Sequence, residues 1–308
     1  MTVTVYRSGD TSAPTLTGEN GSFKNLLNKC LVTGYGSKTA AGWTMPYYPN
    51  DLACFKAGGG NQPVLAINDG AGFGGGAKEV QVRGYLTMSA YNAGTDPFPS
   101  AAQLANACFM AKSATADNTQ RPWILVADNK RFYISIQYTT NTYAAYFFGD
   151  IRSYAATDLY CSVLLANPGA NSIYGASYGV GSASTAANTT VGGCYIARNY
   201  NGEGTSQLVG VVASALQSTG GHTLGGSGLV YPNPTDNGIF MQPVFIKNED
   251  YKLRGWMPGL WSPQHNKPLA HGDTFGGVGG MTGKTFIALN CSDSSGQIFI
   301  ETSNTWDS

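Results

Sequence analysis

The chain has 308 residues, and 18 Lys plus Arg are balanced by 18 Asp plus Glu, so its net charge is zero with His neutral. Only 12% of residues are charged, about half the usual share, which excludes binding to nucleic acid by phosphate neutralisation and excludes an acidic solvating tail. The 41 glycines lack the collagen period, and 42% hydrophobic content with 12% aromatics is too apolar for disorder, leaving a neutral globular protein rich in strands and turns.

In chain order, Met1 to Arg7 carries no basic stretch leading into an apolar run, so no signal peptide is expected. No apolar run approaches the length of a membrane-spanning helix. A first helix is predicted over residues 22–33: Ser22 can cap it, Phe23, Leu26, Leu27, Cys30 and Leu31 share one face, and Gly34 stops it. Gly72-Phe-Gly74-Gly-Gly-Ala77 follows the apolar run Val64 to Ile67 and matches a relaxed dinucleotide fingerprint. That fingerprint needs a helix next. Instead residues 79–88 alternate, with Val80, Val82, Leu86 and Met88 on one face and Glu79, Gln81, Arg83 and Thr87 on the other, so the glycines read as a hairpin loop. A second helix is predicted over residues 100–112, capped by Ser100, with Leu104 and Cys108 on one face. Trp123 to Ala127, the turn Asp128-Asn129-Lys130 and Phe132 to Ile136 form a hairpin pattern. Further strands are expected at 161–166, 208–213, 239–246, 285–289 and 297–301. The fold class expected is mostly β (α+β), with antiparallel sheets in a β-sandwich-like arrangement and two short helices near 22–33 and 100–112.

Three parts are expected: an N-terminal α+β part (1–168), an uncharged Gly/Ser/Ala/Thr-rich loop (169–193) and a C-terminal β part (194–308), with one continuous domain as the alternative. Between residues 159 and 235 only Arg198 and Glu203 carry formal charge. Such a stretch suits a flexible linker or a surface packed among neighbours, and the second reading is preferred. No fixed-period repeat is visible, which argues against solenoids and propellers.

Few sequence motifs carry chemistry. Cys30, Cys54, Cys108, Cys161, Cys194 and Cys291 are scattered without a C-x-x-C pair and read as buried thiols, three long-range disulfides being the alternative. Gly283-Lys-Thr285 resembles the end of a phosphate-binding loop, but Val278 stands where its first glycine belongs and a strand follows. Gly175-Ala-Ser177-Tyr-Gly179 fits a hydrolase nucleophile elbow, with Asp250 and His265 following in order, yet the flanks lack the required strand and amphipathic helix. His265, His271 and Asp273 match no standard ligand spacing and read as hydrogen-bonded loop side chains. No catalytic residue, metal or cofactor is therefore expected. The run Tyr143 to Phe148 and Trp256, Trp261 and Trp306 are candidates for core, interface anchors or carbohydrate-stacking platforms, core and interface being the default.

Several blocks carry a resemblance. Leu16-Thr-Gly-Glu-Asn-Gly-Ser22, Leu26 to Gly36 and Lys38-Thr-Ala-Ala-Gly-Trp43 resemble the opening of a virion structural protein family of tailed double-stranded DNA bacteriophages. Phe147-Phe-Gly-Asp-Ile151, Leu253-Arg-Gly-Trp-Met-Pro-Gly-Leu-Trp261, His271-Gly-Asp-Thr-Phe275 and Phe299-Ile-Glu-Thr-Ser303 are similar to further blocks of that family, so the resemblance runs along the whole chain. It implies a non-enzymatic accessory component of the particle at the capsid surface, neck or tail, made and assembled in the host bacterial cytoplasm. Its partners would be other virion proteins and copies of itself, with no sequence-specific nucleic acid and no membrane span. Arg254, Trp256 and Trp261 are the expected interface anchors, because Arg and Trp are enriched at binding hot spots. The alternatives are a receptor- or glycan-binding tail protein and a serine hydrolase using Ser177.

Overall fold

Successive side chains on a strand point to opposite faces, and this sorts the apolar runs of the chain into two cores. In the computed structural model, which describes residues 2–70, 78–91, 93–169, 193–212, 229–248, 252–265, 268–291, 296–303 and 306, a central antiparallel sheet runs through the molecule. Its strands, in spatial order, are Thr4–Arg7, Trp123–Ala127, Arg131–Thr139, Thr142–Asp150, Ser162–Leu165, Cys194–Ile196 and Gln207–Leu208. Trp123, Leu125, Phe132, Ile134, Tyr146, Phe148 and Leu164 enter one core. Their neighbours Ile124, Val126, Tyr133, Phe147, Val163 and Leu165 enter the other. Both faces are buried, which is why these strands are written as unbroken apolar runs rather than as an alternation.

A second antiparallel sheet covers the first core. It orders Thr44–Tyr47, Leu52–Lys56, Val64–Asn68, Glu79–Tyr85 and Cys108–Ala111, and turns Phe55, Leu65, Ile67, Val80, Val82 and Met110 inward. A third covers the second core with Gly210–Val212, Met241–Lys247, Leu253–Pro263, Gln297–Glu301, Thr285–Asn290 and Thr274–Gly276, while Arg152–Ser153 pairs with Leu253–Pro263. The fold is thus mostly β, as expected, with three large sheets stacked as a doubled sandwich among the described residues and a short hairpin of Thr87–Ala90 and Ala93–Thr95 beside them. The chain crosses from the central to the C-terminal sheet at Ile151 and at Val209, where strands switch sheets at a corner. Consequently the expected boundary at 193/194 falls inside the central sheet, since Cys194–Ile196 pairs with Ser162–Leu165.

The first helix forms over Ser22–Leu27 and continues as a π-helix over Asn28–Thr33, burying Phe23, Leu26, Leu27, Cys30 and Leu31 in the first core. Gly34, at φ 77°, ends it. Ser22 is not its cap: that hydroxyl donates to the carbonyls of Thr17 and Glu19. The free N–H of Lys24 instead meets the Asp69 carboxylate at 2.9 Å, a partner 45 residues away that no local pattern can announce.

The second expected helix does not form. Ser100 closes a single turn, its carbonyl accepting from Leu104 at 3.0 Å. Ala101, Ala102 and Gln103 are exposed and offer no apolar face, and Ala107 at φ 61° ends the turn. Cys108–Ala111 is then buried on every residue as a strand paired with Glu79–Tyr85. Tertiary burial on both sides overrides the helical propensity of Ala and Met. The alternation expected through residue 88 also breaks: Val80 and Val82 face the central sheet, whereas Met88 packs with Tyr85 on the outer face of the N-terminal sheet. The cause is the end of the strand at Tyr85.

Candidate functional site

Most chemistry-bearing side chains are engaged in holding the fold. All six cysteines are buried thiols, and burial pushes Cys54 and Cys161 up to about 12. Lys112 and Asp69 form an ion pair with both side chains wholly buried, Lys112 also donating to the Glu19 carbonyl. Burial pushes the Asp69 carboxyl up and the Lys112 ammonium down, while their mutual attraction opposes both shifts. Asp150 accepts from Ser162 Oγ at 2.6 Å and from the Asn61 N–H at 2.7 Å. The expected loop roles of the histidines are visible. His265 Nε2 accepts the Phe240 N–H at 2.8 Å and its Nδ1 faces the Leu229 carbonyl at 3.3 Å. His271 Nδ1 accepts the Asn290 N–H at 3.0 Å, and burial, with Arg7 nearby, pushes its pKa down to about 4. Asp273 accepts the Ala270 N–H at 3.0 Å. Among the described residues no three His, Cys, Asp or Glu side chains are grouped to hold a metal ion. Ser177 and Asp250 lie outside the described residues, as does the glycine run 72–77.

The surface is where function is to be sought, and the strand Leu253–Pro263 organises it. Arg254, expected as an interface anchor, is 5% exposed. Its Nε and Nη2 grip the Asp158 carboxylate at 2.7 and 2.9 Å, and Nη2 also donates to the Arg198 carbonyl at 3.1 Å. The guanidinium lies 6.0 Å from the centroid of Tyr200. Arg254 therefore works from beneath, tying the 158–160 and 198–200 segments to one strand. Around this clamp four large apolar side chains stand in water: Tyr154 (56% exposed), Leu159 (65%), Tyr200 (54%) and Leu253 (53%). Tyr154 packs on Trp256 at 5.4 Å, Arg152 lies 5.8 Å over the same indole, and Arg198 holds Asp96 while lying 5.7 Å over Tyr160. An aromatic centre with arginines at its edge is the composition of interface hot spots.

Trp256 and Trp261 are both half-buried and point away from the second core, in which Met257 and Leu260 lie. With Phe245 and Trp306 they line a depression of about 230 Å3, bordered by Lys284 and Glu301. At the other end of the same face Phe275 closes over Phe286 and Phe299, with centroids at 5.3 and 4.8 Å. The structure thus brings Trp256 and Trp261 to one groove and sets Arg254 under the adjoining patch. Of the aromatic run, Tyr146, Phe147 and Phe148 are core, while Tyr143 lies 4.6 Å from the His271 ring. Asp158, Tyr200, Lys284 and Glu301 could not be singled out in the sequence, because each meets its partners across a sheet or a sheet corner.

No protein-family model matches the chain, and comparison with curated proteins gives no match. Among the described residues no helix is long and apolar enough to cross a membrane.

Proposed function

We propose that the protein is a non-enzymatic structural component of a tailed bacteriophage particle, acting through contacts with copies of itself and with other virion proteins. The observation that carries this reading is that Tyr154, Leu159, Tyr200 and Leu253, each more than half exposed, stand around the buried Arg254–Asp158 pair, the Tyr154 N–H donating to the Arg254 carbonyl and Tyr200 lying under its guanidinium. Exposed large side chains are common singly, but a cluster on a pre-ordered base saves the ordering cost that association otherwise carries. The block Leu253 to Trp261, one of those resembling the virion family, is the strand that supports the patch. A chain with so few charges would associate with little dependence on salt. The particle would take up the protein in the host cytoplasm, and this reading gives it no nucleic-acid target.

The test is gold-labelled antibody against the chain, imaged on intact particles from the lysate that contains it. Label on head, neck or tail supports the proposal and places the protein, whereas particles without label overturn it. A Tyr200→Ser, Leu253→Ser double variant is expected to fold as the parent does and to lose most of its incorporation.

A further inference from the structure

We propose that the groove between Phe245, Trp256, Trp261 and Trp306 is a saccharide-binding site that takes a neutral pyranose unit. The inference does not rest on the virion reading: the groove adjoins the exposed patch through Trp256 but would take another class of ligand. The outer face of the C-terminal sheet carries Phe245, Trp256, Trp261, Phe286 and Phe299, and the chain covers only part of this aromatic surface. Phe275 seals Phe286 and Phe299, while Trp256 and Trp261 stay partly in water. A depression lined by rings and left open is a stacking platform for a ligand with a flat apolar face.

The floor is fixed. Trp306 is 6% exposed, its indole N–H donates to the Glu301 carbonyl at 2.7 Å, and its ring meets Tyr133 edge-on at 5.5 Å. Gly259, at φ 75°, passes so close that a Cβ there would collide with the Trp306 ring, so only glycine lets the indole lie against the strand. The border supplies directional polar groups. The Glu301 carboxylate, 7% exposed, accepts from Lys284 Nζ at 2.9 Å and from Ser303 Oγ at 2.7 Å. A carboxylate offers about four acceptor sites and an ammonium three donors, so this pair retains both kinds of bonding capacity towards the groove.

The balance of charge selects the ligand. Lys284 and Glu301 neutralise one another, and among the described residues no other formally charged side chain lines the depression. An anion would meet Glu301 and a cation would meet Lys284, whereas a polyhydroxylated neutral ring can stack its C–H face on indole and bond its edge to both. At about 230 Å3 the depression lies below the 300–1,000 Å3 typical of drug-sized ligands, which suits one sugar ring at a time. A second depression, lined by Tyr231, Phe240, Met241 and Phe275, adjoins Met241–Lys247, the strand that carries Phe245, at Met241 and gives a longer saccharide a direction in which to run.

The experiment applies the purified full-length chain to an array of printed neutral and acidic bacterial-surface oligosaccharides, in parallel with Trp261→Ala, Lys284→Met and the Tyr200→Ser, Leu253→Ser variant. Binding to neutral hexose-containing glycans is expected, reduced at least tenfold by Trp261→Ala and by Lys284→Met and unchanged in the patch variant. Lys284→Met replaces a border residue and guards against a Trp261→Ala variant that fails to fold. Silence across the array, binding confined to acidic glycans, or equal binding by both groove variants would overturn the proposal. So would a Trp261→Ala variant whose only change is in self-association, because the groove would then be a contact between chains. Loss of particle incorporation in the patch variant with glycan binding intact separates this site from the virion reading.

Discussion

The central and C-terminal sheets are both antiparallel and both rich in aromatics, yet they use their second faces differently. Strands of the central sheet bury both faces, so Phe148 touches Trp43, Phe98 and Phe132 with ring centroids 5.7 to 6.3 Å apart across this cluster. In the C-terminal sheet the inner face is equally closed by Met257, Leu260, Ile298 and Ile300. Its outer face is closed at one end only. Aromatic content by itself therefore does not mark a core or a site; what matters is whether another layer of the chain is available to cover the ring.

The contrast can be broken most forcefully in the interior. Phe148→Ala should cost about 3–5 kcal/mol, because the site is enclosed by rings that cannot collapse into the void. Lys112→Met should cost a comparable amount, about 3–5 kcal/mol, since it strands the buried Asp69 carboxylate without its counter-ion. Urea unfolding of each variant measures both, and a loss under about 1 kcal/mol for either would mean that the central layers are looser than described.

A smaller effect comes from pH. His271 is held neutral in the folded chain, with its pKa down at about 4, while an unfolded chain restores the ordinary value near 6.5. As pH falls from neutrality the unfolded state takes up a proton that the folded state refuses, because burial and the nearby Arg7 charge disfavour the imidazolium. Stability contributed by His271 is thus present above about pH 6.5 and lost as pH falls towards 4, by about 2–3 kcal/mol. Thermal unfolding of His271→Asn against the parent between pH 7 and pH 4 should show a shallower pH slope in the variant. Equal slopes would refute the assignment.

The smallest effect sharpens the comparison. Trp261 meets Phe286 edge-on at 6.2 Å, packs against the small Phe286, Ala288 and Phe299 cluster and stays half-buried. Trp261→Ala should cost about 2 kcal/mol, the loss of one aromatic pair and of a half-buried ring, against about 3–5 kcal/mol for Phe148→Ala. A loss as large as that of Phe148→Ala would make Trp261 a core residue and remove the groove.

How far the sequence reached depended on the range of the interaction. The hairpin at residues 123–136 was legible because a tight turn joins two runs that pair with each other, Phe132 opposite Ala127 and Ile136 opposite Trp123. The helix at 22–33 was legible because its buried face repeats within its own length. The segment 100–112 misled for the same reason: Leu104 and Cys108 share a helical spacing, but Cys108–Ala111 gains more by pairing with Glu79–Tyr85 and burying every side chain. The mostly β character, the zero net charge and the scarcity of local chemical motifs were fixed by composition and pattern alone.

Only the tertiary structure decided which aromatic residues are covered. Trp256, Trp261 and Trp306 read alike in the sequence, yet Trp306 lies under the strand at Gly259 while the other two remain partly in water. Arg254 reads as a surface hot spot and is instead the buried partner of Asp158, 96 residues away. Periodicity tells which side chains share a face, because that is set within one strand. Whether the face is buried depends on distant segments arriving upon it, and the partners that neutralise a buried charge come from the same distant segments.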